Sequence, residues 1–148
     1  MKACFMGLGY IGLPTAIIAA KHGIQVTGVD INPKVVELTN QGKLHIIEPG
    51  MEEYLQDVIN SGALKASTTP EVSEAYFMVV PTPFKGNHEP DISYVEAATR
   101  AVLPLLKEGD LLLINPLELH QPRIGPDQNP YERIVLWINK NYLSRLCT

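Results

Sequence analysis

Three glycines near the start of the chain, Gly7, Gly9 and Gly12, stand in the spacing G-x-G-x-x-G, and an acidic residue, Asp30, follows about twenty positions on. Each residue type answers a chemical need. Gly7 permits a tight turn. Gly9 carries no side chain, so a pyrophosphate can approach the backbone. Gly12 lets a helix pack closely on the preceding strand. A helix that starts in this loop, with Tyr10 and Ile11 at its mouth, points unpaired N–H groups and a partial positive charge at phosphates. A carboxylate at Asp30 can accept both hydroxyls of an adenosine ribose and repels a 2'-phosphate, which predicts NAD over NADP. Lys34, just beyond, weighs the other way. Simpler roles fit the same residues: a strand-to-helix turn without ligand, and, for Asp30, a solvated strand end or a cap on the next helix.

The elements that must position these groups follow from the local pattern. Residues 3–6 are an apolar strand ended by Gly7. Residues 11–22 are apolar and alanine-rich and close at Gly23, which predicts a helix with a glycine cap. Residues 25–29 read as a second strand ending at Asp30. Asn32-Pro33 opens a helix as cap and first turn. Residues 51–59 have one apolar side, as in an amphipathic helix. Residues 64–67 are a short strand, and Thr69-Pro70-Glu71 opens a brief helix. Residues 76–80 form an apolar strand stopped by Pro81 and Pro83. Asp91 caps a helix over 92–106, and residues 111–114 form another buried strand. Apolar strands alternating with helices predict an α/β fold: a doubly wound, Rossmann-type parallel sheet with helices on both faces.

The chain divides at residue 114. Residues 1–114 read as an NAD-binding domain and 115–148 as a divergent tail. The tail holds a Pro-rich linker with Pro116, Pro122, Pro126 and Pro130, then a helix over 131–146. That helix either packs on the sheet edge through Ile134, Val135 and Trp137 or exposes an apolar stripe that drives homodimerisation.

Composition bounds the rest. The chain has 148 residues, 45% hydrophobic and 19% charged, which is ordinary for one globular domain. A net charge of -4 gives no footprint for nucleic acid or an anionic membrane. Cys4 and Cys147 form no zinc or disulfide pattern, and Cys4 reads as a small buried hydrophobe. His22, His45, His88 and His120 fall in unrelated segments, so no metal site is expected. Absence of a signal sequence or an apolar span makes a cytoplasmic location the expectation.

Beyond the glycine motif, longer stretches carry a resemblance. Gly7-Leu8-Gly9-Tyr10-Ile11-Gly12-Leu13-Pro14, Gly28-Val29-Asp30-Ile31-Asn32 and His45-Ile46-Ile47-Glu48-Pro49-Gly50 resemble the UDP-glucose/GDP-mannose dehydrogenase family. Val80-Pro81-Thr82-Pro83-Phe84-Lys85-Gly86 with His88-Glu89-Pro90-Asp91 is similar to its UDP-N-acetyl-D-mannosamine dehydrogenase branch. The resemblance implies a twofold NAD-dependent oxidation of a sugar-nucleotide alcohol to a carboxylate. It places Pro81 and Thr82 beside the nicotinamide, although both prolines also serve simply to end a strand. Glu48 and Pro49 line the same cleft or only shape a loop.

The resemblance stops at residue 114. The Glu-Ser-Thr segment that the family carries after the fifth strand is missing, and Asn115-Pro116-Leu117-Glu118 stands there instead. The family's nucleophilic cysteine lies in a later part of the chain, and Cys147 lacks its glycine-rich context. The expectation is therefore an NAD-binding module without turnover of its own. It arises from a truncated product or from a reading frame altered past Ile114. No catalytic residue is assigned, and a UDP-sugar is a partner only together with the catalytic half.

Overall fold

The computed structural model describes residues 1–83 and 91–114 in full and residues 134–137 as backbone. Strands and helices alternate through most of the chain. They are β1 (Lys2–Met6), α1 (Gly12–Lys21), β2 (Gln25–Val29), α2 (Pro33–Asn40), α3 (Met51–Asn60), β3 (Leu64–Ser67), β4 (Ala75–Met78), α4 (Ser93–Val102), β5 (Leu111–Ile114) and β6 (Ile134–Trp137). The sheet order is β3-β2-β1-β4-β5-β6, and the first five strands are parallel. This is the Rossmann-type arrangement expected from the alternation, with its switch point between β1 and β4.

Both faces of the sheet are covered, so its central strands are apolar throughout. On one face Ala3, Phe5, Val26, Leu64 and Ala75 meet Leu13, Ala16 and Ile17 of α1 and Leu55 and Val58 of α3. Phe5 and Phe77, level with each other on β1 and β4, stack with ring centroids 4.4 Å apart. On the other face Cys4, Met6, Tyr76, Met78 and Leu112 meet Ala98 and Val102 of α4. Leaving water drives both contacts, at about 1.5–3 kcal/mol for each large side chain buried. The outer edge of β3 is partly plugged by one side chain: Asn40 accepts from the Ala66 amide and donates to the Ala66 carbonyl, at 2.8 and 2.9 Å.

Three sequence expectations change. Thr69-Pro70-Glu71 forms no helix. Residues 68–74 must pass β2 and β1 to reach β4, three strand spacings of roughly 4.8 Å. Extended chain supplies about 3.3 Å per residue and a helix only about 1.5 Å, so the crossover is extended. The helix expected over 92–106 stops as α-helix at Val102 and tightens to a 3-10 turn over Leu103–Leu105. Pro104 has no N–H to give the turn before it. In the tail, Ile134–Trp137 is a strand, paired antiparallel to β5, where a helix was expected. The run Ile-Val-Leu-Trp is β-branched and aromatic, and the open edge of β5 offers it a ladder. The helical stripe expected to drive homodimerisation is therefore absent over these residues. The rest of 115–148, with Cys147 and His120, lies outside the described residues, as do residues 84–90. Among the described residues no helix is long and apolar enough to cross a membrane.

Candidate functional site

The glycine turn joins β1 to α1 at the carboxyl end of the sheet. Gly7 has φ +107°, in the region that favours glycine, and a Cβ there would lie 2.7 Å from the Val79 carbonyl oxygen. A Cβ on Gly12 would collide with the Gly7 carbonyl. These two glycines let the turn, the helix and the end of β4 touch backbone to backbone. Gly9 differs, because a Cβ there would meet nothing within 4 Å. Its open side is where a ligand can come against the chain.

The hydrogen bonds divide the turn in two. The Gly7 amide donates to the Val29 carbonyl at 2.8 Å, and the Leu8 amide to Asp30 Oδ2 at 3.1 Å. Past Leu8, the amides of Gly9, Tyr10 and Ile11 donate to no protein acceptor among the described residues. The helix begins when Leu13 donates to the Gly9 carbonyl and Thr15 to the Ile11 carbonyl. Tyr10 and Ile11 are exposed, so their amides stand at an open helix N-terminus. That end can take an anion through N–H groups and the helix dipole.

Asp30, at the end of β2, is half-buried. Its Oδ2 accepts from Leu8 and its Oδ1 from the Asn32 amide at 2.9 Å. An ionised carboxylate has about four acceptor positions, so each oxygen keeps capacity for a hydroxyl. Asn32 caps α2 by accepting from the Lys34 amide, with Pro33 in the first turn, and the Lys34 side chain is exposed. The cap is thus Asn32 itself, and Asp30 orders the turn before it.

The end of β4 lies against the glycine turn, because the Val79 amide donates to the Met6 carbonyl at 2.9 Å. Pro81 and Thr82 follow along the chain. Pro81 is exposed, while Thr82 Oγ1 is buried without a hydrogen-bond partner among the described residues. The structure thus brings Gly7, Gly9, Tyr10, Ile11, Gly12, Asp30 and Lys34 to one end of the sheet, with Pro81 and Thr82 on the adjoining strand end. Glu48 is half-buried in the loop before α3, where its carbonyl accepts from Met51.

Sequence reasoning gave no role to Leu8 or Gly28. Leu8 is fully buried, and a Cβ on Gly28 would lie 2.6 Å from Leu8 Cδ2. Gly28 is the seat on which the turn rests. A glycine inside a strand is the signal that marks such a close approach.

Among the described residues Cys4 is the one free cysteine, and it is no nucleophile. Cys4 is fully buried, and desolvation pushes its thiol up to about 11, so no thiolate forms near neutrality. Among the described residues no group of His, Cys, Asp and Glu can hold a metal ion.

Comparison with known proteins gives a consistent result. The model of the UDP-glucose/GDP-mannose dehydrogenase family, NAD binding domain, matches residues 1–116. A UDP-N-acetyl-D-mannosamine dehydrogenase from Campylobacter jejuni is 52% identical over 114 residues, which is 76% of this chain and 28% of that protein. An NDP-N-acetyl-D-galactosaminuronic acid dehydrogenase from Ralstonia nicotianae is 49% identical over 109 residues, 74% of this chain and 26% of that protein. The native structure of a UDP-N-acetyl-mannosamine dehydrogenase from Staphylococcus aureus superposes with a TM-score of 0.76 at 44% identity, covering 78% of this chain and 28% of that one. The chain thus spans between a quarter and a third of the length of these relatives. The glycine turn, the acidic end of β2 and the matched 1–116 segment agree: the chain belongs to the UDP-glucose/GDP-mannose dehydrogenase family, and this segment is its NAD-binding domain.

Proposed function

We propose that NAD lies across the carboxyl end of the sheet, with its pyrophosphate on the amides of Gly9, Tyr10 and Ile11. Gly7 and Gly12 shape that turn. Asp30 accepts the adenosine ribose hydroxyls, and Lys34 stands nearby on α2. Pro81 and Thr82 face the nicotinamide half. The observation that carries this reading is the unspent set of amides at the mouth of α1, beside a carboxylate with acceptor capacity left. Asp30 also sets the preference for NAD, since a 2'-phosphate would meet its charge. NAD, when bound, supplies a hydride acceptor. The protein groups orient it, and Gly9 leaves the backbone open to its approach.

The activity in which this domain takes part is, in the same proposal, the twofold oxidation of a UDP-sugar alcohol to its uronate, with UDP-N-acetyl-D-mannosamine the favoured substrate. Two relatives of near-equal identity act on different sugars by their names, so the sugar is less closely specified than the cofactor. The described residues hold NAD without a nucleophile for the second oxidation, and by themselves they turn nothing over. Calorimetric titration with NAD and NADP tests the cofactor reading. NAD is expected to bind at least about tenfold more tightly, the 1.4 kcal/mol that one charge repulsion readily supplies. Equal affinity, or no heat with either, contradicts it.

A further inference from the structure

Recognition of a ribose explains an acidic residue at the end of β2 but not why both of its oxygens are already engaged. Asp30 Oδ2 takes the Leu8 amide and Oδ1 the Asn32 amide. Capping of α2 accounts for neither bond, since Asn32 performs that task with its own side chain. The Leu8 bond reaches 22 positions back to the glycine turn. The same residue is held from its other end, with its buried side chain seated over Gly28. Next to it the Gly7 amide is tied to the Val29 carbonyl. Residues 7 and 8 are therefore fastened to 28, 29 and 30 by three separate contacts, and the amides without an acceptor among the described residues begin only at Gly9.

We propose that Asp30 is a positioning residue for the phosphate turn as well as an acceptor for the ribose. Its carboxylate fixes Leu8, Leu8 fixes the path of Gly9 to Ile11, and their amides are aimed before the ligand arrives. Ordering the turn in advance removes an entropic cost that binding would otherwise carry. Ribose and pyrophosphate recognition are then coupled through one side chain. This inference rests on the NAD reading, and the ligand that separates the two roles is an NAD analogue lacking the 2'- and 3'-hydroxyls of the adenosine ribose. A carboxylate that acts only on those hydroxyls has nothing to offer it.

The test is titration of NAD and of this analogue into the wild type, Asp30→Ala and Asp30→Asn. The analogue is expected to bind Asp30→Ala about tenfold more weakly than the wild type, the usual effect of losing one hydrogen bond to a charged group. NAD is expected to lose more, and Asp30→Asn, which keeps one carbonyl oxygen, to fall between. Equal or tighter binding of the analogue by Asp30→Ala overturns the proposal. If the wild type binds no NAD, the cofactor reading fails separately, and amide exchange in the unliganded protein still decides the positioning role. Leu8 exchange is expected to rise at least about tenfold in Asp30→Ala and by less in Asp30→Asn, with Phe5 and Val26 unchanged. An unchanged Leu8 overturns the proposal, and so does a uniform rise across β1 and β2, which marks general destabilisation.

Discussion

Among the described residues, two regions that offer polar groups to a ligand differ in what those groups have left to give. One is a cavity of about 360 Å3 lined by Lys2, Gln25, Thr27, Lys65, Glu71, Val72 and Ser73, beside the extended crossover to β4. The other is the glycine turn. In the cavity several polar groups are already engaged: Lys65 pairs with Glu71 at 2.7 Å, Gln25 donates to the Gly62 carbonyl at 2.6 Å, and Ser73 Oγ donates to the Glu71 carbonyl at 3.1 Å. At the turn three successive amides have no protein acceptor, and Asp30 keeps spare lone pairs. Concave space alone does not mark a binding site. Unspent hydrogen-bonding capacity on a rigid frame does, because such groups gain most when a ligand replaces water.

The comparison breaks most severely at Gly12. A methyl group there meets backbone, not a movable side chain, so Gly12→Ala must displace the Gly7 carbonyl and the turn with it. Overpacking of this kind costs roughly 1–3 kcal/mol of stability. NAD affinity is expected to fall by more than about tenfold. Thermal unfolding and titration of the same sample check both effects, and near wild-type NAD affinity would show that the turn is not the phosphate site.

Gly28→Ala is expected to be milder, because the group it strikes is the end of the Leu8 side chain. A cost of about 1–2 kcal/mol follows from repacking. Leu8→Ala alone costs about 2–5 kcal/mol as a buried deletion. The double variant is expected to cost no more than Leu8→Ala, since the clash goes with the leucine. A double-mutant cycle by denaturant unfolding reads that coupling. Additive losses would show that Leu8 does not rest on Gly28.

The smallest effect belongs to the cavity. Lys65→Ala removes an ion pair whose partners are 53% and 47% exposed. Screening by solvent limits the loss to about 0–1 kcal/mol, and NAD affinity is expected to stay within about twofold of wild type. A tenfold loss of affinity would reverse the contrast between the two regions.

How much of this was legible in the sequence follows the same division between local and non-local causes. The glycine spacing, the Asn32-Pro33 cap and the apolar strands are local signals, and they located the turn, Asp30 and the strands β1 to β5 within a residue or two. The crossover over 68–74 was misread because its shape is set by the distance between β3 and β4, which Thr69, Pro70 and Glu71 do not encode. Ile134–Trp137 was misread because a short apolar run takes its form from its neighbour, here the edge of β5. Leu8 and Gly28 escaped because their contact joins the glycine turn to β2 across the intervening helix. Asp30 was read as a ligand group, and its bonds to Leu8 and Asn32 became visible only once β1 and β2 stood side by side.

The most direct test of the central claim is to follow backbone amide resonances while NAD is added. Perturbations are expected to concentrate at Gly9 to Gly12, at Asp30 to Asn32 and at Val79 to Thr82, leaving Gln25, Lys65 and Ser73 in place. Shifts centred on those last three residues, or none at all, would contradict it.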